Sequence, residues 1–153
     1  MKMTSKASSS GFIGGWSPRR LALLTSVALG LAASACSGGD ECVDVDLTCT
    51  PQYEPTFDNI YQNTLLTSCG LPGTVCHATE GARGGLILDD PDMAYNLLVE
   101  VAEARVTAGD ASCSEVTRRI DQNGPGPRMP PGGMLEPGVV CAIEQWIDNG
   151  AQR

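Results

Sequence analysis

Apolar positions in the C-terminal two-thirds of the chain recur with the three- and four-residue spacing of amphipathic helices, and they predict four short helices. Thr56 precedes the first, Pro91 opens the second, a third lies within residues 107–120, and Pro137 opens the last. Their apolar faces are formed, in chain order, by Phe57, Ile60, Tyr61 and Leu65; Tyr95, Leu98, Val99 and Ala102; Val116 and Ile120; and Val139, Val140, Ile143, Trp146 and Ile147.

Long irregular loops separate these helices. The stretch from residue 68 to 77 contains Pro72 and Gly73, and residues 121–134 are too rich in Gly and Pro for regular structure. The pattern therefore predicts an all-α domain over residues 55–153, built from a few helices and long Gly/Pro-rich loops.

The longest apolar run, residues 21–33, lies near the N-terminus and is not interpreted as a helix of the domain. Its thirteen residues are too few to cross a hydrocarbon core, which requires about 20. Four basic residues and no acidic ones precede the run, and small residues follow it. A basic head, a short apolar body and a small-residue exit are typical of an export signal, so residues 1–35 are predicted to be a signal peptide.

The exit sequence Ala33-Ser34-Ala35-Cys36 resembles the lipobox of bacterial lipoproteins, although that family usually has Leu at the first of these positions. The resemblance implies cleavage before Cys36 and attachment of lipid, including palmitate, to its sulfur. Ser37 in place of an aspartate implies sorting to the outer membrane. The alternative is an ordinary secretory signal with a cysteine nearby. Residues 36–54 are then a short polar tether between the lipid and the domain.

Removal of the signal peptide makes the chain strongly acidic. Six basic residues remain against 18 acidic ones, a net charge near −12 on 118 residues. Such a charge repels phosphate backbones, which argues against a nucleic-acid partner and allows a basic protein partner.

Six further cysteines remain after Cys36, an even number in an oxidising compartment, which indicates disulfides or covalent attachment of a cofactor. Cys113 and Cys141 each lie near the start of a predicted helix, and we expect them to pair with each other. Cys42 and Cys49 flank an alternating segment. If that segment is extended, each sulfur bonds elsewhere, and if it turns back, they bond together.

Three features coincide in the domain: the pair Cys76-His77, the loop Arg128-Met129-Pro130-Pro131, and a last amphipathic helix containing Trp146. Together they resemble small class I c-type cytochromes, particularly the single-haem domains of planctomycete and myxobacterial exported proteins, over about residues 55–153. The resemblance implies one covalent haem c with His77 and Met129 as axial iron ligands. Gly84-Gly85-Leu86 also resembles a segment that follows the haem motif in that family.

The cysteine spacing departs from the family pattern. A haem c motif normally has two residues between its cysteines, C-x-x-C-H, whereas six separate Cys69 from Cys76. Three arrangements stay open: both cysteines hold haem through thioethers, Cys76 alone does so, or the two join in a disulfide and no haem is attached.

These patterns predict an electron carrier that meets redox proteins of the cell envelope and is not an enzyme. Two protein ligands on the iron leave no open coordination position for a substrate. The alternative is a haem-free, disulfide-stapled lipoprotein of the same fold with a binding or structural role.

Overall fold

The computed structural model describes residues 41–153, so the predicted signal peptide and Cys36 lie outside the described residues. Residues 41–153 contain helices and no strand, which confirms the predicted all-α class. The elements are α1 (Phe57–Ile60), which continues as a π-helix (Tyr61–Cys69); a 3-10 turn (Arg83–Gly85); α2 (Pro91–Tyr95), which continues as a second π-helix (Asn96–Glu100); α3 (Glu115–Ile120); and α4 (Pro137–Asp148).

Local sequence determines both ends of the first helical segment. Thr56 has an extended backbone, and its hydroxyl accepts a hydrogen bond of 3.4 Å from the N–H of Asn59, which is the geometry of an N-cap. At the other end, the N–H of Gly70 donates to the carbonyl of Leu65 at 2.7 Å. A Cβ on Gly70 would lie 2.5 Å from the carbonyl carbon of Leu88. The missing side chain thus allows two distant parts of the backbone to touch.

The second helical segment begins where the sequence predicts and ends earlier. The carboxylate of Asp90 accepts from the N–H of Met93 at 2.8 Å, and Pro91 is the first helical residue. The backbone of Val101 is extended, so the segment ends before Ala102, which lies exposed instead of on the apolar face. The N–H groups that follow bond back to the carbonyl of Leu98, and this return reverses the chain toward α3.

Aromatic side chains join α1 to α2 and α4. The ring of Phe57 lies 5.9 Å from Tyr61, 5.0 Å from Tyr95 and 5.9 Å from Trp146, measured between centroids. The indole N–H of Trp146 donates to the carbonyl of Gln152 at 2.7 Å, so its polar atom is paired although the ring is buried. This contact fixes the chain after α4, which ends near Asn149-Gly150 as predicted.

Two disulfides connect the segment before α1 to the later helices. Cys42 bonds to Cys113, and Cys49 bonds to Cys141. The predicted Cys113–Cys141 bond is therefore wrong. Cys42 thus bonds to the turn just before α3 and Cys49 bonds to α4, so the alternative in which each of these sulfurs bonds elsewhere is the one found.

Hydrogen bonds accompany the disulfides along this segment, which belongs to the part of the chain predicted to be a tether. The N–H of Val43 donates to the carbonyl of Ser112, and that of Gln52 to the carbonyl of Gly138, both at 2.9 Å. Residues 41–54 are thus held against the helical domain. In the described part of the chain, no helix has the length and apolar character needed to cross a membrane.

Candidate functional site

A cavity of about 410 Å³ lies between the end of the first π-helix, α3, α4 and the loops around residues 77–88 and 127–129. Its volume falls in the range of small-molecule and cofactor sites, about 300–1,000 Å³. Apolar side chains form most of its wall, among them Ile60, Leu65, Leu88, Leu98, Ile143 and Trp146.

The cavity brings together three of the residues that sequence analysis proposed as haem-binding. Cys69, His77 and Met129 all line it, although the first and the last are 60 positions apart in the sequence. Cys76 is exposed and is not part of the wall. Met93 and Met134 also lie outside the wall and are 43% and 58% exposed. Met129 is thus the methionine at the cavity among the described residues.

His77 is held by its backbone and has a ring nitrogen without a partner. Its N–H donates to the carbonyl of Cys69 at 3.2 Å, and its carbonyl accepts from the N–H of Leu88 at 2.6 Å. Its Nδ1 is buried and has no hydrogen-bond partner within residues 41–153. A buried, unpaired polar atom costs free energy, so Nδ1 of the only histidine of the chain is left without a partner in the described residues.

Cys69 and Cys76 are free thiols, whereas the other four cysteines of the described part are in disulfides. The alternative in which these two bond to each other is therefore not found. Burial raises the pKa of the Cys69 thiol to about 11, and the nearby Cys76 contributes to the rise. Cys69 is consequently a protonated thiol at neutral pH.

The loop containing Met129 is fastened to α3. The N–H of Met129 donates to the carbonyl of Arg119 at 2.7 Å, and Nη1 of Arg119 reaches the carbonyl of Pro127 at 3.4 Å. Nε of Arg119 lies 2.6 Å from a carboxylate oxygen of Glu115, one helical turn earlier. One arginine therefore connects the helix to the Gly/Pro-rich loop at two neighbouring positions, Pro127 and Met129.

Three arginines and Glu115, which pairs with Arg119, form a charged part of the wall that sequence analysis missed. Arg83, Arg105 and Arg119 line the cavity, and they are half of the six basic residues that follow residue 40. Nε of Arg83 donates to the carbonyl of Val75 at 2.8 Å, and Arg105 donates to the carbonyls of Leu97 and Gly84. The sequence feature that could have pointed to these arginines is the small number of basic residues in so acidic a chain.

Residues 74–133 match the Planctomycete cytochrome C family. The matched stretch contains Cys76, His77 and Met129 and begins after Cys69. It supports a cytochrome c-like domain in this chain. No curated protein and no solved structure matches the chain.

The donor set of the cavity fits haem c. An imidazole with an unpaired nitrogen and a methionine sulfur are the axial pair of c-type cytochromes. Cys69 in the wall and Cys76 outside it are both free thiols, and thiols are the groups that attach haem c covalently. The apolar wall suits the porphyrin ring, and the three arginines suit its two carboxylates.

Proposed function

We propose that this chain is a haem-binding electron-transfer lipoprotein of the cell envelope. The observation that carries the proposal is the cavity at which His77, Met129 and Cys69 come together within an apolar wall. The match of residues 74–133 to a cytochrome c family supports the haem-binding part of the proposal.

Each side chain has a distinct role in this proposal. His77 and Met129 would hold the haem iron, and Cys69 and Cys76 would attach haem c through thioethers. Bound haem supplies one-electron oxidation and reduction. The apolar wall excludes water, which together with methionine ligation favours a higher reduction potential. Because two protein ligands would leave no open position on the iron for a substrate, we propose an electron carrier and not an enzyme.

The charge of the chain and its N-terminal sequence pattern support a proposal for where the carrier acts. We propose that lipid on Cys36 anchors the chain in the cell envelope, at the outer membrane, and that its partners are envelope redox proteins. Acidic residues outnumber basic ones 18 to 6 after the signal peptide, so a partner with a basic docking surface associates faster at low salt. The same charge disfavours nucleic acid.

The experiment is expression of the full chain in a host with c-type cytochrome maturation machinery. We expect a Soret band and a mass increase of one haem that survives denaturation, because thioethers are covalent. The matched variant His77→Ala tests the proximal ligand and should alter or abolish the spectrum. A full chain with no Soret band and no added haem mass would overturn the proposal.

A second candidate is a haem-free lipoprotein of the same fold with a binding or structural role. The two disulfides favour it, because they cross-link the domain without any cofactor. It predicts that the haem-free chain unfolds cooperatively with the stability of a complete domain, and that maturation machinery adds no mass to it.

A further inference from the structure

The six residues between Cys69 and Cys76 divide into a projecting turn and two held positions. Leu71, Pro72, Gly73 and Thr74 form a β-turn in which the N–H of Thr74 donates to the carbonyl of Leu71 at 3.1 Å. Pro in the second position and Gly with a φ of 79° in the third are the requirements of a type II turn. The turn is therefore encoded by its own four residues.

The turn extends into solvent and is not fastened to the domain. Leu71 is 53% exposed, and a Cβ added to Gly73 would meet no atom within 4 Å. The hydrogen bonds found within residues 41–153 include none that joins Leu71–Thr74 to another part of the chain. Removal of the turn would thus break no described hydrogen bond outside it.

The positions on either side of the turn are held firmly. Gly70 touches the backbone of Leu88. The carbonyl of Val75 accepts from Nε of Arg83 at 2.8 Å, and that of Cys76 accepts from the N–H of Arg83 at 3.0 Å. The residues that flank the excursion are therefore fixed by the rest of the domain.

The N–H of His77 donates to the carbonyl of Cys69, so a hydrogen bond joins the two ends of the segment that contains the turn. In a helix this bond joins residues four apart, which is the separation of the first Cys and the His in C-x-x-C-H. Without Leu71–Thr74 the chain reads Cys69-Gly70-Val75-Cys76-His77, which has that spacing. The longer spacer already makes the bond that the shorter one would make.

We propose that Leu71–Thr74 is a four-residue insertion in an ordinary haem-attachment spacer, so that Cys69 and Cys76 act as a pair and the turn is dispensable for attachment. This inference rests on the proposed function. Each thiol adds across one vinyl group of haem: a C–S bond forms, the thiol hydrogen passes to the other vinyl carbon, and no oxidant is consumed. Two thioethers, and not one, follow from the pairing.

The test uses the full chain and a variant lacking Leu71–Thr74, both expressed with c-type maturation machinery. We expect both to retain one haem after denaturation, with the reduced α band of the pyridine complex at the position typical of two thioethers. Cys69→Ser and Cys76→Ser in the full chain should each move that band to the one-thioether position. A full chain with a single thioether would overturn the inference.

A deletion variant that loses attached haem while the full chain keeps it would overturn the inference and leave the proposed function intact. A full chain that takes up no haem would overturn both. A second variant guards against misfolding of the deletion: four residues, Gly-Ser-Gly-Ser, inserted between Pro72 and Gly73. Since the turn faces solvent, this lengthened chain should attach haem through two thioethers, and failure to do so also contradicts the inference.

Discussion

The N–H of Met129 donates to the carbonyl of Arg119 at 2.7 Å, and this bond fixes a methionine in a Gly/Pro-rich loop to the last turn of α3. The guanidinium of Arg119 meanwhile reaches Glu115 and Pro127. Met129 therefore faces the cavity because of contacts made by its neighbours. The position of its sulfur depends on α3 as much as on the loop itself.

Replacement of Met129 by Ala should remove the axial sulfur from the haem-loaded protein. We expect loss of the weak long-wavelength band typical of methionine-ligated ferric haem and a lower reduction potential. Absorption spectroscopy and redox titration measure the two effects. Met134→Ala is the matched control, because Met134 is exposed and outside the cavity wall. A band that survives in Met129→Ala would refute the assignment of the distal ligand.

Gly70→Ala should destabilise the domain, because its Cβ would lie 2.5 Å from the backbone of Leu88. Overpacking of this kind costs about 1–3 kcal/mol, and urea titration of the haem-free chain measures it. Gly133→Ala is the control, since its Cβ would meet Pro130 at an ordinary 3.7 Å and should change stability by less than about 0.5 kcal/mol. Equal stability of the two variants would contradict the close approach.

Removal of either disulfide should destabilise the domain strongly. The Cys42–Cys113 bond joins residues 71 positions apart, and the Cys49–Cys141 bond joins residues 92 positions apart. The chain-entropy model gives about 4 kcal/mol for closing a loop of this size. We expect losses of that order for the double variants Cys42→Ala/Cys113→Ala and Cys49→Ala/Cys141→Ala in urea titration. Peptide mapping of the unreduced protein checks the pairing itself, and a Cys113–Cys141 peptide would contradict it.

The stability of the domain should fall as pH rises from about 4.5 to about 7 because of Glu144. This side chain is 6% exposed. Burial raises its pKa from 4.5 to about 7, and Asp121 and Asp46 add to the rise. Between these two pKa values, the native state keeps a proton that the unfolded state releases. The free energy of unfolding therefore decreases as pH rises.

Glu144→Gln should flatten that slope and raise stability at pH 7 by on the order of 2 kcal/mol. Urea titrations at several pH values provide the measurement. Glu103→Gln is the control at an exposed position and should leave the slope unchanged. If the slope persists in Glu144→Gln, the buried carboxyl is not its source.

Cys36→Ala should abolish lipid attachment. We expect loss of palmitate labelling and release of the chain from the membrane fraction, because stable anchoring requires covalent acyl chains. Cys76→Ala is the control, since Cys76 lies outside the lipobox-like sequence 33–36 and its replacement should not affect labelling. An unlabelled native chain would argue for the ordinary secretory signal instead.

Helical spacing in the sequence predicted most of the fold. The starts at Thr56, Pro91 and Pro137 depend on contacts within one turn, so local residues suffice to predict them. The helix end before Ala102 was missed because the chain reverses there through hydrogen bonds to Leu98, and no local residue encodes that return.

The sequence predicted those site residues that had few competitors of the same residue type. His77 has no competing histidine, and Met129 lies between recognisable loop residues. The disulfide pairing was not predictable, because it depends on the path of residues 41–54 across two helices. The fate of Cys69 and Cys76 also depends on distant contacts, since Gly70 touches Leu88 and Arg83 holds Val75.

The Cys42–Cys113 bond limits how far the proposed lipid anchor allows the carrier to travel. A free segment from Cys36 to residue 54 would reach about 60 Å when fully extended, whereas the six residues to Cys42 reach about 20 Å. With so short a segment between lipid and domain, a lipid-anchored electron carrier would not move across the space between two membranes. If the proposed function and anchor hold, we expect it to exchange electrons with partners that come to the membrane surface where it is anchored.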